Sequence, residues 1–310
     1  GASLYGGGGL GKSLIAIEPG LCVSGGLDWF GNTVDRPCPA LYVSCEDDND
    51  ELHHRLDCAR RKEIHFPQAG EEEGFVIWDR VGEENLLTVM TNTGAIRQKF
   101  LGELEKALWA LAPEGEERFL ILDTVTDMGA LNENQRDHVN YFVKFVLGGF
   151  CTRYNCTVLF LAHPSKSGDY SGSTNWQGSV RSQMTLKPHE NDPDLRWLSK
   201  LKSNRAQRNT SETDGILLRW IDGAFVEQDA DEFERELKAQ QKRSVARYLA
   251  ENEGIKRSGN SLNPLKNHVI PDENGMPIPL DRVKQLVTEL MSDGSVREDE
   301  QCGLVVEDFI

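Results

Sequence analysis

The run Gly6-Gly7-Gly8-Gly9-Leu10-Gly11-Lys12-Ser13 has the spacing G-x-x-x-x-G-K-S, and its residue types suit one task, holding a triphosphate. Glycines let a backbone wrap phosphates with its N–H groups turned inward, and a following helix adds its positive end. Lys12 would reach the β- and γ-phosphates and the Ser13 hydroxyl would ligate Mg²⁺. The nucleotide-binding set read from this run is Gly6, Gly8, Gly9, Gly11, Lys12, Ser13 and Leu14. A glycine-rich turn with no ligand is the bland alternative. The flanks argue against it, because Ala2-Ser3-Leu4-Tyr5 reads as a strand end and Leu14-Ile15-Ala16-Ile17 as an apolar helix start.

Splitting a phosphoanhydride also needs a metal-holding carboxylate, a carboxylate to orient or deprotonate water, and positive charge for the transition state. Phe119-Leu120-Ile121-Leu122-Asp123 has the Walker B form, four apolar residues ending in Asp, and Asp123 joins Ser13 as a metal residue. Thr124, not Glu, follows it, so the base is sought elsewhere. Glu46 closes the apolar run Ala40–Cys45 and is the better candidate; its alternative role is a helix N-terminal acid, which Asp47 or Asp48 would serve equally well. His163 ends the run Thr157–Ala162 and is placed to contact the γ-phosphate.

These residues need a sheet to position them. Strands are expected near 2–5, 40–45, 119–123 and 157–162, alternating with helical segments, and a further one at Phe75–Trp78. Each of the four delivers a functional group at one edge, the carboxyl edge where α/β proteins keep ligands. The P-loop helix is expected to be short, stopped or kinked by Pro19-Gly20. Apolar spacing predicts helices over 96–111 and 134–147, the second ended by Gly148-Gly149. A loop over 165–178 follows, then short antiparallel strands at 181–186, 195–202 and 215–220, with Phe225-Val226 closing the domain. Acidic, helical 229–241 reads as a linker, and 242–310 as a small domain of two helices and a hairpin, similar to a winged helix.

The 310 residues suffice for one sizeable core plus a small second domain. A formal net charge of −16 disfavours coating duplex DNA with a broad basic face, while leaving room for nucleic acid held by local basic loops. The seven cysteines include no C-x-x-C pair, so buried free thiols in a reducing cytoplasm are expected, not disulfides or zinc. No apolar stretch is long enough to cross a bilayer, and no membrane partner is expected. The sequence begins without Met almost on the P-loop, and a natural start lost upstream is expected.

Leu41–Asp48 with Glu51–Leu56, Leu120–Thr124 with Asn132-Glu133-Asn134, and Leu161–Ser165 resemble the RepA-like hexameric ATPases of the RecA superfamily. The similarity continues through Gly172–Trp176, Ser179–Ser182, Lys202-Ser203-Asn204 and Leu218–Gly223, covering roughly residues 3–226. The family comprises plasmid replicative helicases and many phage and prophage ATPases. The resemblance implies a RecA-like P-loop core, ATP and Mg²⁺ at the interfaces of a homo-oligomeric ring, a hexamer, and single-stranded DNA in its channel. It implies Walker A roles for Lys12 and Ser13, the metal for Asp123 and the catalytic carboxylate for Glu46. His163 becomes a γ-phosphate sensor, Arg181 an arginine finger for the next subunit, and Lys202 a residue near a neighbour's nucleotide.

Two functions are carried forward. One is a single-stranded-DNA-dependent ATPase motor, a ring-forming replicative helicase of a mobile element working with replication or recombination proteins. Its DNA contacts would come from the loops at 126–136 and 165–178, with Lys166, Tyr170 and Trp176 supplying charge and stacking surfaces; a packing role is the equal alternative for Trp176. The other is an ATP-switched DNA-binding or recombination-mediator protein without unwinding activity. A metabolic P-loop kinase would need an acceptor pocket and lid instead of a finger from a neighbour.

Overall fold

The computed structural model describes residues 1–61, 74–91, 94–131, 135–163, 176, 178–190, 192–204, 208–209, 211, 214–257, 260–269 and 278–307. Contacts divide the chain into two units, one of residues 1–187 with 196–227 and one of residues 188–195 with 228–310.

Among the described residues the first unit is built on a nine-stranded sheet. The chain enters at β1 (Ala2–Gly6), passes into helix α1 (Lys12–Gly25), and returns as β2 (Ala40–Ser44), α2 (Asn49–Arg61) and β3 (Phe75–Asp79). A small side sheet of β4 (Thr88–Thr91), β5 (Gly94–Arg97) and β7 (Gly129–Ala130) brackets helix α3 (Lys99–Leu111), β6 (Arg118–Asp123) and the short α4 (Val125–Met128). Then come α5 (Arg136–Tyr141), a π-helical turn (Phe142–Leu147), α6 (Gly148–Arg153) and β8 (Cys156–Ala162). The strands β9 (Ser182–Pro188), β10 (Leu195–Ser203), β11 (Ile216–Ile221) and β12 (Ala224–Gln228) complete it, in the order β12-β11-β10-β9-β1-β8-β6-β2-β3.

From β9 to β3 every neighbouring pair is parallel. β9, expected as antiparallel, therefore belongs to the parallel core, paired Ala2 to Ser182 with β1. The Walker B strand β6 is not the immediate neighbour of β1, because β8 lies between them. This is a RecA-like α/β core. Alternating residues fill two layers: Tyr5, Val43, Leu122 and Phe160 pack under α3 and the α5–α6 segment, and Leu4, Tyr42, Ile121 and Leu161 under α1 and α2.

Several local punctuation signals were overridden by packing. α1 does not stop at Pro19 but continues to Gly25. An interior proline costs about 3 kcal/mol in an isolated helix, but Ile15, Ala16, Ile17 and Leu21 around it are buried, each large apolar side chain worth about 1.5–3 kcal/mol. Gly20 lets this helix approach the sheet: a Cβ there would stand 2.4 Å from the Phe75 ring and 3.1 Å from Ile121. Helix α3 starts at Lys99, because Ile96 is taken by β5. The segment from Arg136 does not end at Gly148-Gly149 but continues to Arg153, anchored beyond the glycines by fully buried Phe150. The region 126–136, expected as a loop, contains part of α4 and β7.

In the second unit, helix Ala230–Glu251 absorbs the expected linker. Asp229 caps it, accepting from the Glu232 N–H at 2.9 Å. Its first turns bury little, which is why their composition reads as a solvated connector; Val245, Ala246 and Leu249 carry the packing. Helix Leu280–Ser292 and the antiparallel hairpin of β13 (Val296–Asp299) and β14 (Gly303–Val306) complete its core with Leu262 and Leu265. Among the described residues no helix is long and apolar enough to cross a membrane.

One buried acid lies inside α1. Glu18 is fully buried, its Oε2 accepts from the Trp29 indole N–H at 3.3 Å, and its Oε1 has no partner among the described residues. Burial pushes its carboxyl up to about 8, against hydrogen bonds from Trp29 and the Phe225 backbone. Folding thus takes up a proton between the ordinary carboxyl value of 4.5 and about 8. The stability Glu18 supports is complete below the lower value and declines as pH rises to the upper one, by at most about 1.4 kcal/mol per pH unit. Glu18→Gln keeps the shape and removes the titration. In urea unfolding the variant should gain on the wild type as pH rises from about 5 to about 8; a pH-independent difference would contradict a protonated Glu18.

Candidate nucleotide site

Gly11 ends the glycine loop with φ of 89°, a left-handed conformation that admits glycine readily, and so turns the chain into α1. Its α-carbon also lies against Phe225, where a Cβ would come within 2.7 Å of the ring. The turn leaves Lys12 at the first position of α1, only 6% exposed. The Lys12 ammonium donates to the Gly7 carbonyl at 2.9 Å and lies 3.2 Å from His163 Nδ1. An ammonium has no acceptor, so Nδ1 accepts and the ring proton sits on Nε2. His163 Nε2 in turn faces Glu46 Oε1 at 3.5 Å. Lys12, His163 and Glu46, separated by up to 151 positions in the chain, thus form one connected line.

The strand register explains the convergence. Ser44 is paired with Asp123, and Tyr5 with Ala162, so Glu46, Asp123 and His163 leave the sheet at the same edge as the glycine loop. On the α1 side of the sheet Tyr42 lies one step below Asp123, and its hydroxyl donates to Asp123 Oδ2 at 2.6 Å. The Ser13 hydroxyl lies near enough to Asp123 to favour its ionised form. Burial raises the Asp123 carboxyl above its ordinary value, opposed by the Ser13 hydroxyl and the Tyr42 hydrogen bond. Burial likewise lowers the Lys12 ammonium, opposed by the charges of Asp123 and Glu46.

Asp123 Oδ1 is buried without a hydrogen-bond partner among the described residues. An orphaned carboxylate oxygen beside a serine hydroxyl, both oxygen donors, suits a hard divalent cation. Ser13 and Asp123 therefore fit Mg²⁺. Among the described residues no cluster of three His, Cys, Asp or Glu side chains could hold a metal by itself, as expected where a nucleotide supplies further oxygens.

The cleft above this line has a volume of about 380 Å³. Gly9, Gly11, Lys12, Ser13 and Leu14 line it with Glu46 and His163, as do Glu51, His54, Arg55, Trp220 and Gly223. Arg55 is fully engaged: its guanidinium donates to both Asp47 oxygens at 2.5 and 2.9 Å and to Glu51 at 2.8 Å. Gly6 is set in β1, where a Cβ would press on the Leu186 carbonyl at 2.9 Å, and Gly8 faces open space.

Other expected site residues lie elsewhere. Arg181 is exposed and precedes β9 at the amino edge of the sheet, its N–H donating to the Gly1 carbonyl. A five-residue strand separates it from its own P-loop, roughly 15 Å. Lys202 is on β10, two strands from β1, and does not line the cleft. Trp176 is corrected: it is 3% exposed, with its indole 5.5 Å from Phe160 and 6.2 Å from Phe142, so it is a core residue and presents no face to a base. Lys166 and Tyr170 lie outside the described residues. Tyr42 and Trp220 were not singled out for the site. A phenol within an aliphatic strand was the available signal for Tyr42; for Trp220 it was an indole next to an Asp-Gly turn.

Tyr42→Phe removes the hydroxyl and leaves a second Asp123 oxygen buried without its donor. Loss of about 1–3 kcal/mol in urea unfolding is expected, and a variant as stable as the wild type would show that this hydrogen bond does not support the site.

Residues 2–169 match a protein-family model described as an AAA domain, a span that runs from β1 past His163 and covers just over half of the chain.

Proposed function

The chain belongs to that AAA-domain family of P-loop ATPases, and on that premise we propose that it is a single-stranded-DNA-dependent motor. In this reading it forms a homo-oligomeric ring, a hexamer of the replicative helicase kind found on mobile elements. The observation that carries the proposal is the incompleteness of the cleft. Among the described lining residues the one guanidinium, Arg55, is spent on Asp47 and Glu51, while exposed Arg181 sits at the opposite sheet edge. A second copy presenting that edge would supply the missing charge.

In the proposed reaction Lys12 exchanges the Gly7 carbonyl and His163 for phosphate oxygens. Ser13 and Asp123 would hold Mg²⁺, which would supply positive charge against the phosphates. Glu46 orients the attacking water and draws its proton. Once Lys12 moves, the His163 imidazole turns to the γ-phosphate and its backbone carries that state into the segment that follows.

The first test is ATP turnover with and without single-stranded DNA. DNA is expected to raise the rate, Lys12→Ala to abolish nucleotide binding, and Glu46→Gln to keep binding while slowing turnover about 10²–10⁴-fold. A rate indifferent to DNA would remove the motor and leave the ATPase. Stimulation without unwinding of a forked duplex would favour the ATP-switched DNA-binding alternative, to which the helices and hairpin of the second unit, winged-helix-like in order, would be suited.

The second test is complementation. Arg181→Ala should bind nucleotide yet lose turnover by about a thousand-fold or more. Mixed with Glu46→Gln subunits it should recover activity above either variant alone, since some interfaces then join an intact Glu46 to an intact Arg181. Without recovery, the finger in trans is wrong.

A further inference from the structure

The cleft that holds the catalytic line is also lined by an exposed indole. Trp220 is 46% exposed, and of the large exposed apolar side chains among the described residues it alone lines the nucleotide cleft. Its position follows from the strand. Leu218, two residues earlier on the same face of β11, is fully buried in the layer that holds Leu14 and Ile15 of α1. The row continues one step past the packed region, and Trp220 emerges over the mouth of the cleft.

The indole is carried by a fixed support. Asp222 and Gly223 have φ of 46° and 88°, the pair of positive values that a two-residue hairpin turn requires. The hairpin is held at two points. Phe225 lies against Gly11 of the phosphate loop, and Gly223 lies against Cys58 of α2, where a Cβ would meet the sulfur at 2.6 Å. Trp220 is therefore tied to the same loop that would seat the phosphates.

With the phosphates taken up by Lys12, Ser13 and Leu14, the lining residues Trp220, Gly223 and His54 are left for a sugar and base. We propose that Trp220 is the nucleobase platform of the site, making it selective for purine nucleoside triphosphates. The indole offers a flat apolar face at the cleft rim, and a purine covers more of it than a pyrimidine does. This inference rests on the nucleotide reading of the cleft given above.

The test measures equilibrium binding to the full chain of a non-hydrolysable ATP analogue and of inorganic tripolyphosphate, each with Mg²⁺. Trp220→Ala should weaken the analogue about ten-fold or more, from the loss of base stacking, and leave tripolyphosphate unchanged. Trp220→Phe should retain most of the analogue's affinity, and the wild-type preference for ATP and GTP over CTP and UTP should shrink in Trp220→Ala. Lys12→Ala should lose both ligands. Unchanged analogue binding in Trp220→Ala, or equal weakening of both ligands, would overturn the platform while leaving the phosphate site intact. A wild-type chain that binds neither ligand would overturn the nucleotide reading, and the platform with it.

Discussion

The buried ammonium of Lys12 is the constraint on which the first unit depends. A cation 6% exposed is unfavourable unless hydrogen bonds and opposite charge surround it. The protein meets that demand with the Gly7 carbonyl, His163, and the charges of Asp123 and Glu46. Those partners come from four different strand ends, so the parallel register must bring them to one height. Ser44 opposite Asp123 and Tyr5 opposite Ala162 do so. The arrangement that makes Lys12 tolerable without ligand is also the one that a triphosphate and Mg²⁺ would enter. A phosphate oxygen would take the place of the Gly7 carbonyl, and a cation the place beside the orphaned Asp123 oxygen.

Buried polar groups elsewhere follow the same logic. Arg118 is 2% exposed at the start of β6, yet its guanidinium donates to the backbone carbonyls of Leu108, Ala112, Pro113, Glu116 and Tyr154. It thereby ties the end of α3 and the end of α6 to the strand that delivers Asp123. Glu18 is treated differently, with one oxygen left without a partner. Neutralising the acid replaces pairing it, because burial outweighs the two hydrogen bonds it receives.

Features carried by short spacing were legible in the sequence. The glycine run, the four apolar strands and the polar residues that end them sit where their patterns place them, because a buried parallel strand is a continuous apolar run wherever it occurs. Features decided by distant partners were not. Pro19 and Gly148-Gly149 are stop signals locally, but burial of Ile17 and Phe150 carries the helices through. The helical character of 229–241 was legible, but not its continuity with the helix anchored further on. Trp176 left base stacking and packing both open, and only its enclosure by Phe142 and Phe160, distant in sequence, decides for packing. Trp220 drew no role for the opposite reason: only the Phe225 contact with Gly11 reveals that its strand ends at the phosphate loop.

Parallel order has a further consequence for assembly. Every strand from β9 to β3 presents its carboxyl end to the cleft, so a residue that precedes a strand, as Arg181 precedes β9, is displaced to the far edge by the strand's full length. No change of side-chain rotamer returns it to its own cleft, since an arginine spans about half of that roughly 15 Å. Arg181 and the cleft are therefore at opposite edges of one sheet, one offering a guanidinium and the other, among the described residues, holding only the engaged Arg55. Faces complementary in this head-to-tail sense generate a ring when the rotation between copies closes. The polarity of the sheet itself, more than any single contact, is what makes the site a shared one in the function proposed.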